Sequence, residues 1–464
     1  MQDLVERAEQ AVELARRAGA DGAEAFVLDA PEDAVLLEPS GAGEFALRTA
    51  NTVLHRGLGL AARWGRRVGF ASTTDLSSPA LAEVVNDCRR AALPDDPALP
   101  LVPAGEAPEA PGLADKRVLE MNLPEIVGVA MTVGAEAREA GVGVLGVVAT
   151  ATCRRVAIVN SVGLVRSSLD TRISAGLYAM SRGGGFAMWS RTSRSLAGLL
   201  ALAVGRKAAA LARSSDDARD VVPGLQTVVL RPDALLSLLA TSLGPALGAD
   251  RVDEGTSPFA AGGASPGDGV ASAILDITDD ATCPGSTGSY LFDAEGTAGQ
   301  ATPVIRAGRL VSLLHNNYSA ASLGLRRSTG NASRDRSGRM STFVEPSGPF
   351  GYRPGILPSS LVVTSPGPTF PDLPAAGVDR GLLVQDVMGA FVIDPAVGDF
   401  SVTTTNAWAL ERGRPAYPVK RAMLSGNMYS LLKQVLALAE EPEDVVGPFS
   451  LVSPSWVVAD LVVV

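Results

Sequence analysis

The residues able to do chemistry are few and scattered. The chain has two histidines, His55 and His315, and three cysteines, Cys88, Cys153 and Cys283. Neither histidine has a Glu, Asp or Cys at the one-turn spacing that lets a helix offer two ligands to one zinc ion. A Ser-His-Asp triad would have to use one of these two histidines. No GxSxG elbow is present, because Gly285-Ser286-Thr287-Gly288 has the wrong spacing. The glycine runs Gly183-Gly184-Gly185 and Gly262-Gly263 lack the lysine or the strand-to-helix setting of a phosphate loop. Two carboxylate pairs, Asp293/Glu295 and Asp279/Asp280, have the composition for acid–base work. Phe292-Asp293-Ala294-Glu295-Gly296 also reads as a turn closing a strand, with Asp accepting from its own backbone and Gly ending it.

The elements that would position these groups follow from periodicity. A chain of 464 residues with 46% hydrophobic residues is expected to form two domains. Aromatics are only 5%, so the core must be built from Ala, Val and Leu, and the 49 glycines and 31 prolines imply many turns. Residues 2–18 read as an amphipathic helix with Leu4, Ala8, Val12 and Ala15 on one face. Strand-like runs follow at 23–28, 34–37 and 44–50, then a hairpin of 55–62 with 67–71 around Trp64-Gly65-Arg66. A helix over 79–92 takes Ser78 as its capping candidate. The spacing predicts helices over 123–140 and 192–212, with strands at 142–150, 154–160 and 172–179 between them. Residues 93–114 read as an internal loop. The polar Ser214-Ser215-Asp216-Asp217, followed by Pro223-Gly224, marks the boundary. Beyond it come a strand at 226–230, a helix at 233–243, and strands joined by glycine turns, with helical pieces at 319–323 and 428–439. The expected fold is α+β: an N-terminal α/β domain (1–220) with a mixed sheet and flanking helices, then a β-rich, barrel-like domain (221–464).

Composition excludes several function classes. A net charge of −10 and a pI near 5.0 argue against nucleic acid, which needs clustered Lys and Arg. The short basic groups Arg326-Arg327 and Arg334, Arg336, Arg339, mixed with Asp335, read as solvated loop. Three dispersed cysteines point away from a disulfide framework and toward a reducing cytoplasm. Asp3, Glu6, Glu9 and Glu13 rule out a signal-peptide core near the start, and Arg206 and Lys207 interrupt the most apolar stretch, so no membrane association is expected.

Residues 287–297 run TGSYLFDAEGT, and 302–332 run TPVIRAGRLVSLLHNNYSAASLGLRRSTGNA. This block resembles the signature of the TldD/PmbA family, also called modulators of DNA gyrase, in which an FDDEG turn leads to a hairpin and an STGN segment. Residues 381–428, GLLVQDVMGAFVIDPAVGDFSVTTTNAWALERGRPAYPVKRAMLSGNM, resemble the family's C-terminal domain. TldD-like members carry HExxxH on a helix plus a distal cysteine, and PmbA/TldE-like members lack them. Aligned over 238–250, the first His, the Glu and the second His fall on Ala240, Thr241 and Pro245, and 450–464 contain no cysteine. Pro245 is expected to end that helix.

The resemblance therefore implies a PmbA/TldE-like subunit with no catalytic residue, metal or cofactor of its own. Zinc and the catalytic Glu would come from a TldD-like partner in a heterodimer, with a homodimer expected in isolation. The implied substrate is an unfolded peptide or peptide-like amide. His315, Asn316, Asn317, Tyr318 and Asn331 are read as substrate-lining residues, the other reading being that they satisfy turns. The alternatives are an independent metal-free hydrolase using Asp293 or Glu295, and a peptide-binding regulatory protein.

Overall fold

In the computed structural model, the described residues are 1–41, 44–95, 97–105, 112–260, 263–334 and 349–464. Gly262, Asp335, Arg336, Arg339 and part of the 93–114 loop lie outside them.

The N-terminal region runs α1 (Gln2–Arg17), β1 (Gly22–Ser40), β2 (Glu44–Trp64), β3 (Arg67–Thr73), α2 (Ser78–Arg90), β4 (Leu93–Pro94), α3 (Lys116–Leu119), α4 (Leu123–Glu139), β5 (Gly143–Asn160), β6 (Val165–Met180), β7 (Phe186–Ser193), α5 (Leu196–Ala201) and α6 (Val204–Ser214). Its seven strands form one sheet in the order β4-β3-β2-β1-β5-β6-β7. The helix-and-sheet make-up is as expected. Every pairing is antiparallel, however, rather than mixed. Tight turns at Gly65 and Gly163 and the 181–185 loop reverse the chain between neighbours, and no βαβ crossover is needed. The short strands expected within 23–50 and 142–160 merge into long ones, because β1 pairs along its length with both β2 and β5.

All the large helices cover one face of this sheet. α1 buries Leu4, Ala8, Ala11, Val12 and Ala15, the stripe its periodicity predicts. α1 and α2 pack on Val27, Leu58 and Leu60, and α4 and α6 on Val35, Val147 and Leu177. The other face of β1 carries Phe26, Leu28 and Ala30, which pack with Ile158, Phe292 and Phe350. That second face is covered by the C-terminal region. Gly59 permits the contact: a Cβ there would lie 2.3 Å from the Phe350 carbonyl oxygen.

The C-terminal region contains β8 (Gly224–Leu230), α7 (Pro232–Leu239), α8 (Leu243–Ala246), α9 (Ala249–Asp253), β9 (Asp276–Asp280), β10 (Ala301–Arg306), β11 (Arg309–Leu310), α10 (Asn317–Ser322), β12 (Ala332–Ser333), β13 (Gly355–Ile356), β14 (Ser360–Thr364), β15 (Arg380–Met388), β16 (Asp399–Glu411), β17 (Arg414–Val419), β18 (Met423–Asn427), α11 (Met428–Lys433), β19 (Val435–Leu438), β20 (Glu443–Val446), β21 (Ser450–Ser453) and β22 (Trp456–Val463). The order β15-β8-β22-β18-β16 closes through a β15–β16 pairing, giving a barrel-like sheet with β17 at its side. A six-stranded sheet, β11-β10-β9-β14-β21-β20, shares its core.

Several helix boundaries differ from expectation for local reasons. The predicted 192–212 helix begins as strand β7, and α5 is separated from α6 by Ala203 at φ +46°. The predicted 233–243 helix stops at Leu239, and 428–439 splits into α11 and strand β19 because β19 pairs with β22. Ser77, not Ser78, stands at the start of α2. The polar stretch from Ser214, read as the domain boundary, is pinned: the Trp408 indole donates to the Ser214 carbonyl at 2.7 Å and Asn406 Nδ2 to Ser215 Oγ at 2.9 Å.

Candidate functional site

The Asp293–Gly296 segment is a turn, and its two acids divide the labour. The Asp293 amide donates to the Thr297 carbonyl at 2.9 Å. Asp293 Oδ1 accepts from the Glu295 and Thr297 amides, each at 2.9 Å, and Oδ2 from the Ala332 amide at 3.0 Å. Gly296 sits at φ +85°, and a Cβ there would strike Leu164 Cδ2 at 2.4 Å. Asp293 is thus the buried anchor of the turn. Glu295 instead reaches the start of α10, where its Oε2 accepts from the Asn317 amide at 2.7 Å and from Asn317 Nδ2 at 2.8 Å.

Glu295 opens into a cavity of about 300 Å³ between the first sheet and the C-terminal region. Its charged lining comes from both: Glu24 on β1 and Asp95 after β4 on one side, Asp250, Glu295, Arg334 and Arg353 on the other. Asp95 accepts from Tyr318 Oη and from Arg353 Nη1, both at 3.0 Å. Arg334 is 5% exposed. It donates to the Tyr352 carbonyl, stacks 4.6 Å above the Phe26 ring, and places Nη2 4.0 Å from Glu24 Oε1. The solvated-loop reading of Arg334 is therefore overturned. Arg334 lies under the first sheet, where the Phe26 face and Glu24 supply what water would.

Burial disfavours charge throughout this cavity. It raises Glu24 to about 8, with Glu295 adding repulsion and Arg334 opposing. Burial raises Asp293 to about 8 as well, with Glu295 second and its three amide donors acting the other way. Glu295 is also raised by burial, against the pull of Asn317 and Arg334. Burial lowers the Arg334 guanidinium to about 10, opposed by Glu24 and Glu295. Glu24 and Asp293 are thus placed to carry a proton near neutral pH.

The five residues expected to line a site are brought close together with different roles. Asn316 and Tyr318 line the cavity, and Asn317 holds Glu295. His315 is buried, with Nδ1 3.2 Å from Ser319 Oγ, and burial lowers its pKa. Asn331 donates to Asp279 Oδ2 at 2.6 Å and to the Leu357 carbonyl at 3.2 Å, tying β9 to the loop before β14. Asp279 also accepts from the Ser359 amide at 2.7 Å, while Asp280 binds Thr282, so that pair is structural. Glu24, Asp95, Arg334 and Arg353 were not foreseen from sequence.

Segment 238–250 is a different kind of place. α7 gives way at Ala240, the chain turns at Ser242, and Pro245 lies inside the short α8 rather than ending α7. Ala240 and Pro245 are buried. Thr241 Oγ1 donates to the Ala390 carbonyl at 2.8 Å, and Ser242 Oγ to the Leu238 carbonyl at 2.6 Å. Among the described residues, no group of three or more His, Cys, Asp or Glu is placed to hold a metal ion. Zinc does not fit this segment, because neither a methyl group, a threonine already donating to a carbonyl, nor a proline can ligate it.

Residues 223–464 match the family model of the PmbA/TldA metallopeptidase C-terminal domain. The chain belongs to the TldD/PmbA family. Among its relatives, an uncharacterized protein of Methanocaldococcus jannaschii is 30% identical over 232 residues, 50% of this chain and 49% of that one. A metalloprotease of Methanothermobacter thermautotrophicus is 29% identical over 290 residues, 60% of this chain and 58% of that one. These alignments thus span about half the length of the curated relatives. The crystal structure of TldE from Thermococcus kodakarensis shares the fold, with a TM-score of 0.84 at 21% identity over 98% of this chain and 99% of that one. Among the described residues, no helix is long and apolar enough to cross a membrane.

Proposed function

We propose that this chain is the non-catalytic, metal-free subunit of a heterodimeric zinc peptidase in the cytoplasm. A TldD-like partner would supply zinc and the catalytic Glu, and this chain would help enclose an unfolded peptide or peptide-like amide. The observation that carries the reading is the state of 238–250, where Ala240, Thr241 and Pro245 stand in a broken, buried helix whose polar groups are already used. Apolar surface for subunit association exists on β6 and β7, where Tyr178 pairs with Met188 and Met180 with Phe186, all exposed. A homodimer is the form proposed in isolation.

The test is co-expression with a TldD-like chain carrying HExxxH, followed by assays on unstructured peptides. Hydrolysis by the mixture alone, with zinc bound only by the partner, supports the reading. A second reading, a metal-free hydrolase, draws on Glu24 and Glu295 facing one cavity with raised pKa values. Hydrolysis by this chain alone, abolished by Glu295→Ala, would replace the first reading with the second.

A further inference from the structure

Among the described residues, no hydrogen-bond donor reaches the buried Glu24 carboxylate. It is 5% exposed, lines the cavity, and among the described residues its ion-pair partner is Arg334, with Nη2 at 4.0 Å. Toward β2 and β3 its neighbours Ala61 and Phe70 are apolar, and on β5 the paired Asn160 spends its amide nitrogen on the Val102 carbonyl. Glu295, which lines the same cavity, has Oε2 filled by Asn317, and among the described residues no hydrogen bond is formed at Oε1. Arg334 acts on both carboxylates, and Arg353, which also faces them, is engaged with Asp95. A buried carboxylate left this way costs several kcal/mol on the order set by ion desolvation, unless a proton or a bound cation relieves it.

We infer that this cavity is a receptor for a primary ammonium group, held by the carboxylates of Glu24 and Glu295. An ammonium brings three donors to acceptors that lack them. A divalent metal is the poorer occupant: the Arg334 guanidinium stands beside the site, and among the described residues no group of three ligands is placed to hold one. An anion is poorer still, because Arg334 is already committed to the Tyr352 carbonyl and the Phe26 ring. The walls Phe70, Leu99, Pro100 and Ile356 are apolar, and about 300 Å³ suits one amino-acid unit. The ligand class is thus an amine borne on a short apolar or peptide body, either a peptide α-amino group or a lysine-like side chain. In the empty cavity a proton on Glu24 or Glu295 takes the cation's place. The groups facing Glu24 that share this balance are Glu295, Arg334, Asp293 and Arg353.

The site belongs to this chain by itself, so its test is separate from that of the subunit reading. The full chain is titrated calorimetrically with alanyl-alanine amide, with Nα-acetyl-lysine amide, and with Nα-acetyl-alanyl-alanine amide. Each titration is run near pH 7 in two buffers of different ionisation heat. At least one of the two amines is expected to bind with release of a proton, and which one binds identifies the α-amino or side-chain source. The probe without an amine should bind about tenfold more weakly or worse, as should the amine to Glu24→Gln, checked for folding by its thermal transition. The inference is overturned if neither amine binds. It is also overturned if the acetylated probe binds equally well, if binding releases no proton, or if folded Glu24→Gln keeps full affinity. The acetylation contrast and the proton count are read on the unaltered protein, so a misfolded variant leaves the test intact.

Discussion

Segment 238–250 and the Asp293–Gly296 turn are both buried in the C-terminal region, yet they treat polarity in opposite ways. In the first, the polar side chains up to Ala249 are small hydroxyls that donate to carbonyls of their own or a neighbouring turn among hydrocarbon, and only Asp250 at its end reaches the cavity. Around the second, ionisable carboxyl groups are kept indoors: Asp293 on three amides, Glu295 on Asn317, and Glu24 of the facing strand β1 beside Arg334. The contrast teaches where chemistry has been given up and where it is retained. Hydroxyls whose one proton goes to a backbone carbonyl have no donor left for a ligand, whereas an under-partnered carboxylate has charged acceptors to spare.

The largest expected effect comes from the turn's anchor. Asp293→Ala strands three buried amides and should cost about 3–5 kcal/mol in urea unfolding. A loss under about 1 kcal/mol would mean the turn holds without its carboxylate and would erase the contrast. Next, restoring the family ligands by Ala240→His, Thr241→Glu and Pro245→His should cost about 2–4 kcal/mol by forcing polar bulk into the core, with no zinc retained after dialysis. Stoichiometric zinc in that variant would show the segment to be a dormant site.

The pH dependence is smaller and has a definite sign. Glu24 is raised from 4.5 to about 8 in the folded chain, and Asp293 from 3.8 to about 8. Well below 3.8 folded and unfolded chains both hold these protons, and the contribution of these two groups is fully present. From 3.8 for Asp293 and 4.5 for Glu24 up to about 8 the unfolded chain releases them while the folded chain retains them, so this contribution falls as pH rises and then levels off. Glu24→Gln should remove Glu24's share, about 2 kcal/mol or more of that slope, in urea melts taken across the range. A slope unchanged by Glu24→Gln would show Glu24 to be charged and accommodated. Thr241→Val is the smallest perturbation, about 1 kcal/mol for one hydrogen bond to the Ala390 carbonyl, with no change in amine binding.

Much of this architecture is readable from local pattern. The stripe of α1, the Trp64–Arg66 reversal and the turn chemistry of Asp293 and Gly296 depend on neighbours in the chain, so periodicity and turn preferences expose them. The long signature blocks carry the family for the same reason. The cavity was half legible: Glu295, Asn316 and Tyr318 come from that block, while Glu24 and Arg334 were passed over. Glu24 alternates with alanines and Phe26 in a strand whose pattern suggests one wet face, and Arg334 sits in a charged run that looks solvated.

Local sequence thus dictates which elements form, where they turn, and which ligands 238–250 can never offer. The environment of each charge depends instead on a contact between distant parts of the chain. The C-terminal region lies over the second face of β1, and Phe292 and Phe350 exclude water there. Long-range packing turns Glu24 from an apparent surface residue into a buried acid beside Arg334. No pattern read along a single strand contains that contact, because desolvation is a property of what covers a residue, not of the residues next to it.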